Sequence, residues 1–324
     1  DLSNWYRHPV LSKCTFPTRF VELPQGFVER LLKSEGLFAR VDEEAEPEEW
    51  SDSEWKDEGY GDDGELEQRK ERQQETWPEL EKEIGAALKR WCENGASGGV
   101  FPRLNWSSPI DAHWLGIGGS LRCTTVAEVL RFLEASDQVR GDLELLHSLA
   151  QRNTDSQRQW KPTLALRKWH DFHTPSEFRC FVRNNRLIAI CQKDITNFWP
   201  FLVEMRTQNL QSLTKFFEEK IKGALTIDSY VFDAYIHSQG SCHLVDISPF
   251  DPEHIEPILW SWEELKAIDD NIPTPYFKII EEATNIMPNL RKMATAVPFD
   301  LINTEEHPDQ DELGAVDPND MEAQ

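Results

Sequence analysis

The chain has 324 residues, 39% hydrophobic and 28% charged, enough apolar material for one large domain or two lobes around a sizeable core. A net charge of −24 excludes a surface built to coat nucleic acid and favours a basic or heavily solvated partner. No apolar run approaches the roughly 18 residues of a membrane span. The beginning shows no signal-peptide pattern, and Asp1 in place of Met fits a trimmed leader. Cys14, Cys92, Cys123, Cys180, Cys191 and Cys242 are scattered without a C-x-x-C pair, so a cytoplasmic monomer with reduced thiols is expected.

Arg19 to Leu23 reads as a short strand and Gln25 to Leu32 as a helix. From Asp42 to Glu75 the chain is rich in Asp, Glu, Gln and Gly. Such a stretch buries too little apolar area to offset its ordering entropy, so a disordered acidic loop is expected. Ser51 and Ser53 within it are either phosphorylation sites or plain solvated serines. Trp77, Leu80, Ile84, Leu88 and Trp91 fall on one helical face, and Asn94-Gly95 supplies the stop. Val100 to Trp106 is strand-like and enters a Ser-Pro turn. Thr124 or Thr125 is the expected N-cap of a helix whose apolar face is Val126, Val129, Leu130 and Leu133.

The densest strand signal runs from Thr163 to Ile190, with a hairpin of Glu177 to Val182 and Leu187 to Ile190 around Asn184-Asn185. A helix is expected over Leu210 to Leu225, then a second hairpin of Ser229 to Tyr235 and Ser241 to Ser248, then a helix starting at Leu259. The segment from Asn303 is acidic and contains proline. The expected fold class is α+β with antiparallel sheets. Residues 1–41 and 76–162 supply an N-terminal lobe, 42–75 the disordered loop, 163–300 a C-terminal lobe with the ligand site, and 301–324 a disordered acidic tail.

The second hairpin carries the chemistry. A turn centred on Gln239-Gly240 pairs Ser238 with Ser241, Ile236 with His243, and Asp233 with Asp246. Alternation puts Asp233, Asp246 and Ser248 on one side of the sheet and Val245 and Ile247 on the other. Opposed carboxylates repel, and a hard cation bridged by phosphate oxygens removes the conflict. The alternatives are a solvent-facing pair and a pair neutralised by Lys or Arg. The order of strand, linker after Trp169, strand and acidic hairpin is similar to the ATP-grasp arrangement, two lobes with the nucleotide between them. On that reading Arg103, Arg179 and Lys193 face the phosphates, Lys168 and Trp169 lie at a hinge beside the adenine, and Asp111 orients Arg103 or the turn after it.

The sequence also resembles the cell division cycle protein 123 family. The matching blocks are Val100 to Pro109 with Asp111-Ala112, Leu166 to Trp169, Ser176 to Val182, Val231 to Asp233, and Asp246 with Pro249-Phe250. Trp5-Tyr6, Leu23-Pro24 and Trp50 to Asp52 also fit. The resemblance implies an ATP-grasp fold that binds ATP and Mg²⁺. It also implies an assembly chaperone of eukaryotic translation initiation factor 2 that acts through the gamma subunit. It implies no turnover of a defined small substrate; the alternative is a ligase-type ATP-grasp enzyme forming an acyl phosphate. Two positions depart from the family pattern. Arg103 stands where the family has Lys, and Ser248 where it has Asn as the last metal-side ligand.

Gly116-Ile-Gly-Gly119-Ser120 lacks the spacing of a dinucleotide fingerprint and the Lys of a P-loop, and reads as a turn. His170 and His173 read as ordinary surface histidines rather than metal ligands.

Overall fold

Two sheets carry the fold, and each follows from the alternation in its strands. The computed structural model describes residues 2–33, 76–92, 98–152 and 161–283. The expected acidic loop with Ser51 and Ser53, the Asn94-Gly95 stop and the acidic tail lie outside them. All the described residues fall in one unit, Asp1–Asn289.

The first sheet has three antiparallel strands, β1 (Thr18–Glu22), β2 (Val100–Leu104) and β3 (Thr163–Lys168), in the order β1-β3-β2. One side of it buries Val21, Val100, Leu104, Leu164 and Leu166 against the helices Gln25–Lys33, Pro78–Cys92, Val126–Ala135 and Asp137–Arg152. Leu80, Ile84, Leu88 and Trp91 point inward together, as their spacing requires. Thr125 caps the next helix through a capping box with Glu128. β3 is the middle strand of this sheet, so the layer extends past residue 162, where composition and strand pattern put a lobe boundary. The helix Asp137–Arg152 is absent from the expectations above because its apolar positions Val139, Leu143 and Leu146 are sparse and Gly141 interrupts them.

The second sheet has the order β7-β6-β4-β5-β8, from β4 (Glu177–Arg183), β5 (Arg186–Gln192), β6 (Tyr230–Ile236), β7 (Cys242–Pro249) and β8 (Tyr276–Lys278). All neighbours are antiparallel except β8, which runs parallel to β5. Asn184 and Asn185 turn the first hairpin at φ 51° and 56°, the left-handed conformation that asparagine tolerates best after glycine. One face buries Phe178, Cys180, Phe232, Ala234 and Leu244 against Leu213, Phe216 and Phe217, from a helix that ends in one wide turn at Phe217–Ile221. The other face holds Phe181 and Val231 under Trp260 and Leu265. The covering helix is Trp262–Ala267. It starts three residues beyond Leu259 because Ser261 and Glu264 form its capping box. All six cysteines are free thiols, and no described helix is long and apolar enough to cross a membrane.

Register in the β6–β7 hairpin differs from the uniform pairing expected. The structure pairs Ile236 with Cys242 and Tyr235 with His243, then shifts between Asp233 and Ala234, so that Asp233 still opposes Asp246. Val245 is the extra residue of this bulge.

His170 is not an ordinary surface histidine. Its ring lies among Phe16, Phe172, Tyr235 and His237, and His237 Nε2 is 2.8 Å from His243 Nδ1. His173 instead packs against Trp199 and Phe201. Burial first, and then neighbouring imidazoles, hold His170 and His243 below the usual histidine range; Lys168 adds to this at His170 and Asp171 opposes it. The folded state therefore favours their neutral forms. The resulting stability is present above the unfolded value near 6.5 and is lost as pH falls below it. Melting temperature should drop between about pH 6.5 and pH 5, and His243→Gln should flatten that drop in a pH series.

Candidate functional site

The face of the second sheet that carries Phe181 and Val231 also brings a row of largely buried charged side chains into line. Arg179 on β4 pairs with Asp233 on β6, and Asp233 pairs with Asp246 on β7. Glu177 precedes Arg179 by two residues and shares its face. Arg179 grips Asp233 with two hydrogen bonds, Nε to Oδ1 at 2.8 Å and Nη2 to Oδ2 at 2.9 Å. Lys193, just past β5, reaches Asp233 Oδ2 at 2.9 Å and donates to Glu177 at 2.5 Å. From the first sheet, Arg103 on β2 donates from Nη1 to Asp246 Oδ2 at 2.8 Å. The other oxygen of Asp246 accepts from the Ile247 amide at 2.9 Å.

Burial by itself would raise the Asp233 pKa. The charges of Lys193 and Arg179 and their hydrogen bonds outweigh it and hold the carboxyl well below the usual range. The same contacts raise Arg179 and Lys193 against the desolvation that would lower them. Arg167 on β3, buried at 7% exposure, donates to the carbonyl of bulge residue Val245 at 2.7 Å and to Thr15 Oγ1 at 3.0 Å. Its burial lowers the guanidinium to about 10, with Asp246 opposing the shift. Among the described residues, Arg103, Arg167, Arg179 and Lys193 thus meet Glu177, Asp233 and Asp246, and Asp142, close enough to Arg103 to feel its charge, brings the carboxylates to four.

Five of the expected residues, Arg103, Arg179, Lys193, Asp233 and Asp246, therefore meet. Ser248 pairs with Val231, the next position along the same face as Asp246. Lys168 ends β3 exposed, its amide bound to the Pro17 carbonyl. Trp169 donates from Nε1 to Asp171 at 2.6 Å and, with Asp171, lines a cavity of about 580 Å³ also walled by Leu115, Arg122, Arg131 and Phe132. Gly116 to Ser120 forms the expected turn, and Gly116, Ile117 and Ser120 line the same cavity. Asp111 does not contact Arg103. Its carboxylate accepts from Asp137 N at 2.7 Å, Gln138 N at 3.2 Å and Ser136 Oγ at 2.6 Å, capping the helix Asp137–Arg152. Glu177 and Arg167 complete the cluster and were not anticipated, although both lie within the blocks that carry the resemblance.

The opposed carboxylates are neutralised by Arg179, Lys193 and Arg103, the alternative that the sequence left open, and all four of their oxygens accept from protein donors. A hard cation with a phosphate chain would have to displace some of these contacts; Arg103 Nε, buried with no hydrogen-bond partner, is the donor left over.

The D123 family model matches residues 5–305. The chain belongs to the D123 family. A translation initiation factor eIF2 assembly protein from Dictyostelium discoideum is 32% identical over 229 residues, 64% of this chain and 59% of that protein. A Xenopus laevis protein of the same name is 30% identical over 274 residues, 84% of this chain and 78% of the relative. The structure of Cdc123 from Schizosaccharomyces pombe, 29% identical, has a TM-score of 0.60 and covers 87% of this chain and 95% of that one. The D123 assignment agrees with the cell division cycle protein 123 resemblance.

Asp233 is the keystone of this ion cluster, with its side chain 8% exposed beside Arg179 at 12%. Asp233→Ala would leave Arg179 buried without its carboxylate and Lys193 with Glu177 alone, and should cost about 3–5 kcal/mol of unfolding free energy by urea titration. The stability from Asp233 is fully present above its unfolded value near 3.9 and is lost progressively as pH falls below it, so acid unfolding below about pH 4 should be shallower in Asp233→Asn.

Proposed function

We propose that this D123 family member binds ATP with Mg²⁺ at the Asp233–Asp246 pair, on an ATP-grasp-like scaffold. We further infer that it assists assembly of eukaryotic translation initiation factor 2 by engaging the gamma subunit. The observation that carries the nucleotide reading is the opposed pair of carboxylates on neighbouring strands, ringed by Arg179, Lys193 and Arg103, whose Nε–H has no acceptor. The assembly reading is supported by the shared name of relatives from Dictyostelium discoideum and Xenopus laevis. A role in translation initiation would put its action in the cytoplasm, and we expect it to act as a monomer.

Each residue has a definable part. Asp233 and Asp246 offer oxygens to the cation, and Ser248 adds a hydroxyl on the same face. Bound Mg²⁺ would add its charge to that of Arg179, Lys193 and Arg103 and draw phosphate oxygens to the two carboxylates. Arg179 and Lys193, already desolvated against Asp233, neutralise phosphate charge. Arg103 contributes the Nε–H that has no acceptor. The cavity beside Trp169 falls within the size range of small-ligand pockets, but none of Arg103, Arg179, Lys193, Asp233 and Asp246 lines it. Lys168 sits beside Trp169 at the end of β3. Asp111 acts at one remove, through the helix it caps.

ATP with Mg²⁺ should raise the melting temperature more than ATP with a chelator, by an amount corresponding to about 2.7 kcal/mol at one hundred times Kd. Asp246→Asn keeps the shape and should weaken Mg²⁺-dependent ATP binding about tenfold or more, or about 1.4 kcal/mol. No thermal shift and no calorimetric binding at millimolar ATP would overturn the nucleotide reading. Failure of the purified gamma subunit to co-purify with the protein at micromolar concentration would overturn the assembly reading.

A further inference from the structure

Asp142 is a buried carboxylate, 8% exposed, on the helix Asp137–Arg152. Its hydrogen bonds converge on the turn that follows β2. Oδ2 accepts from the Trp106 amide at 3.2 Å and the Ser107 amide at 2.8 Å, and Oδ1 accepts from Ser107 Oγ at 2.9 Å. The same turn contains Asn105 at φ 27°, whose side chain ties it to the Lys161 carbonyl at 3.0 Å and the Thr163 amide at 2.8 Å. A turn held this firmly fixes the direction of its carbonyls. The Trp106 carbonyl accepts from Arg103 Nη2 at 2.5 Å, while Nη1 of the same guanidinium holds Asp246.

We propose that Asp142 is a positioning residue for Arg103. It locks the Trp106–Ser107 turn, and the turn carbonyl sets the plane in which the guanidinium faces Asp246. The linkage rests on the nucleotide reading above and extends it across the fold. Asp111 anchors the first turn of the helix, Asp142 projects from its second turn, and both carboxylates are spent on backbone amides rather than on a ligand. A carboxylate suits this task because it can accept from two adjacent amides and a hydroxyl at once. Burial raises its pKa, and the Ser107 contacts oppose the shift.

A double-mutant cycle tests the linkage, with Mg·ATP affinity read by calorimetry and stability by melting temperature. Asp142→Ala should raise the Kd about tenfold in the wild-type background and change it less than about twofold when Arg103→Met is also present, because both changes act through one guanidinium. Its effect on melting temperature should be the same in both backgrounds. Asp142→Asn should restore affinity: the amide oxygen can take both backbone N–H groups, and the amide nitrogen can donate to Ser107 Oγ. Equal losses of affinity in both backgrounds, or no rescue by Asn, would overturn the proposal. Should Asp142→Ala fail to fold, Ser107→Ala removes one contact and should weaken affinity about threefold only where Arg103 is present. Absence of ATP binding by the wild-type protein would instead strike the nucleotide reading, so the two failures are separable.

Discussion

The opposition of Asp233 and Asp246 across two neighbouring strands is the constraint on which the rest of the site depends. Carboxylates in register repel one another, and Asp233 is nearly out of reach of water. Such a pair persists only where positive charge is built in beside it. The fold provides that charge from three separate elements: Arg179 from β4, Lys193 from the end of β5, and Arg103 from the other sheet. The ion pairs that keep the acids comfortable therefore also join the two sheets. Arg167 does the same work through a neutral acceptor, reaching from β3 to the carbonyl exposed by the bulge at Val245.

This local balance runs against the chain as a whole. A protein of net charge −24 sets four cations among four carboxylates here. Burying so many charges is not a route to stability, since apolar replacements of the same shape often do as well or better. On the proposed nucleotide reading, the basic side chains are desolvated in advance and the acids hold them in place for an anion that brings its own cation.

Much of this was legible in the sequence because strand alternation is a two-residue rule. Asp233, Asp246 and Ser248 could be assigned one face from spacing alone, and Arg179 and Lys193 from the hairpin before them. The pairing at the turn end was less legible. A bulge adds one residue to one strand without a composition signal, so Ile236 and His243 were matched one step out of register. Asp111 shows a different limit: its acceptor role depends on a helix with few apolar positions, and nothing in its own neighbourhood points to residues 136–138. Arg167 was hidden for a related reason. A guanidinium in a hydrophobic strand reads as an edge or a surface position until the partner sheet is known to supply carbonyl and hydroxyl acceptors. His170 looked like part of a linker, and only the return of β6 and β7 brings His237 and His243 beside it.

Arginine at position 103, where the family pattern has lysine, finds its reason in this geometry. One planar group must satisfy two acceptors that lie in different directions, the Asp246 carboxylate and the Trp106 carbonyl. A guanidinium presents separate N–H groups in a fixed plane and does both at once, whereas an ammonium is a point donor on a flexible stem. The exchange of lysine for arginine thus ties residue 103 to the turn that follows it, and the turn to the helix behind. Ser248 is the complementary change. A hydroxyl is shorter than an amide, so the side chain reaches less far across the face it shares with Asp246. On the proposed nucleotide reading the two departures push the same way, transferring responsibility for the site from the end of β7 to the arginine of β2 and the scaffold that holds it.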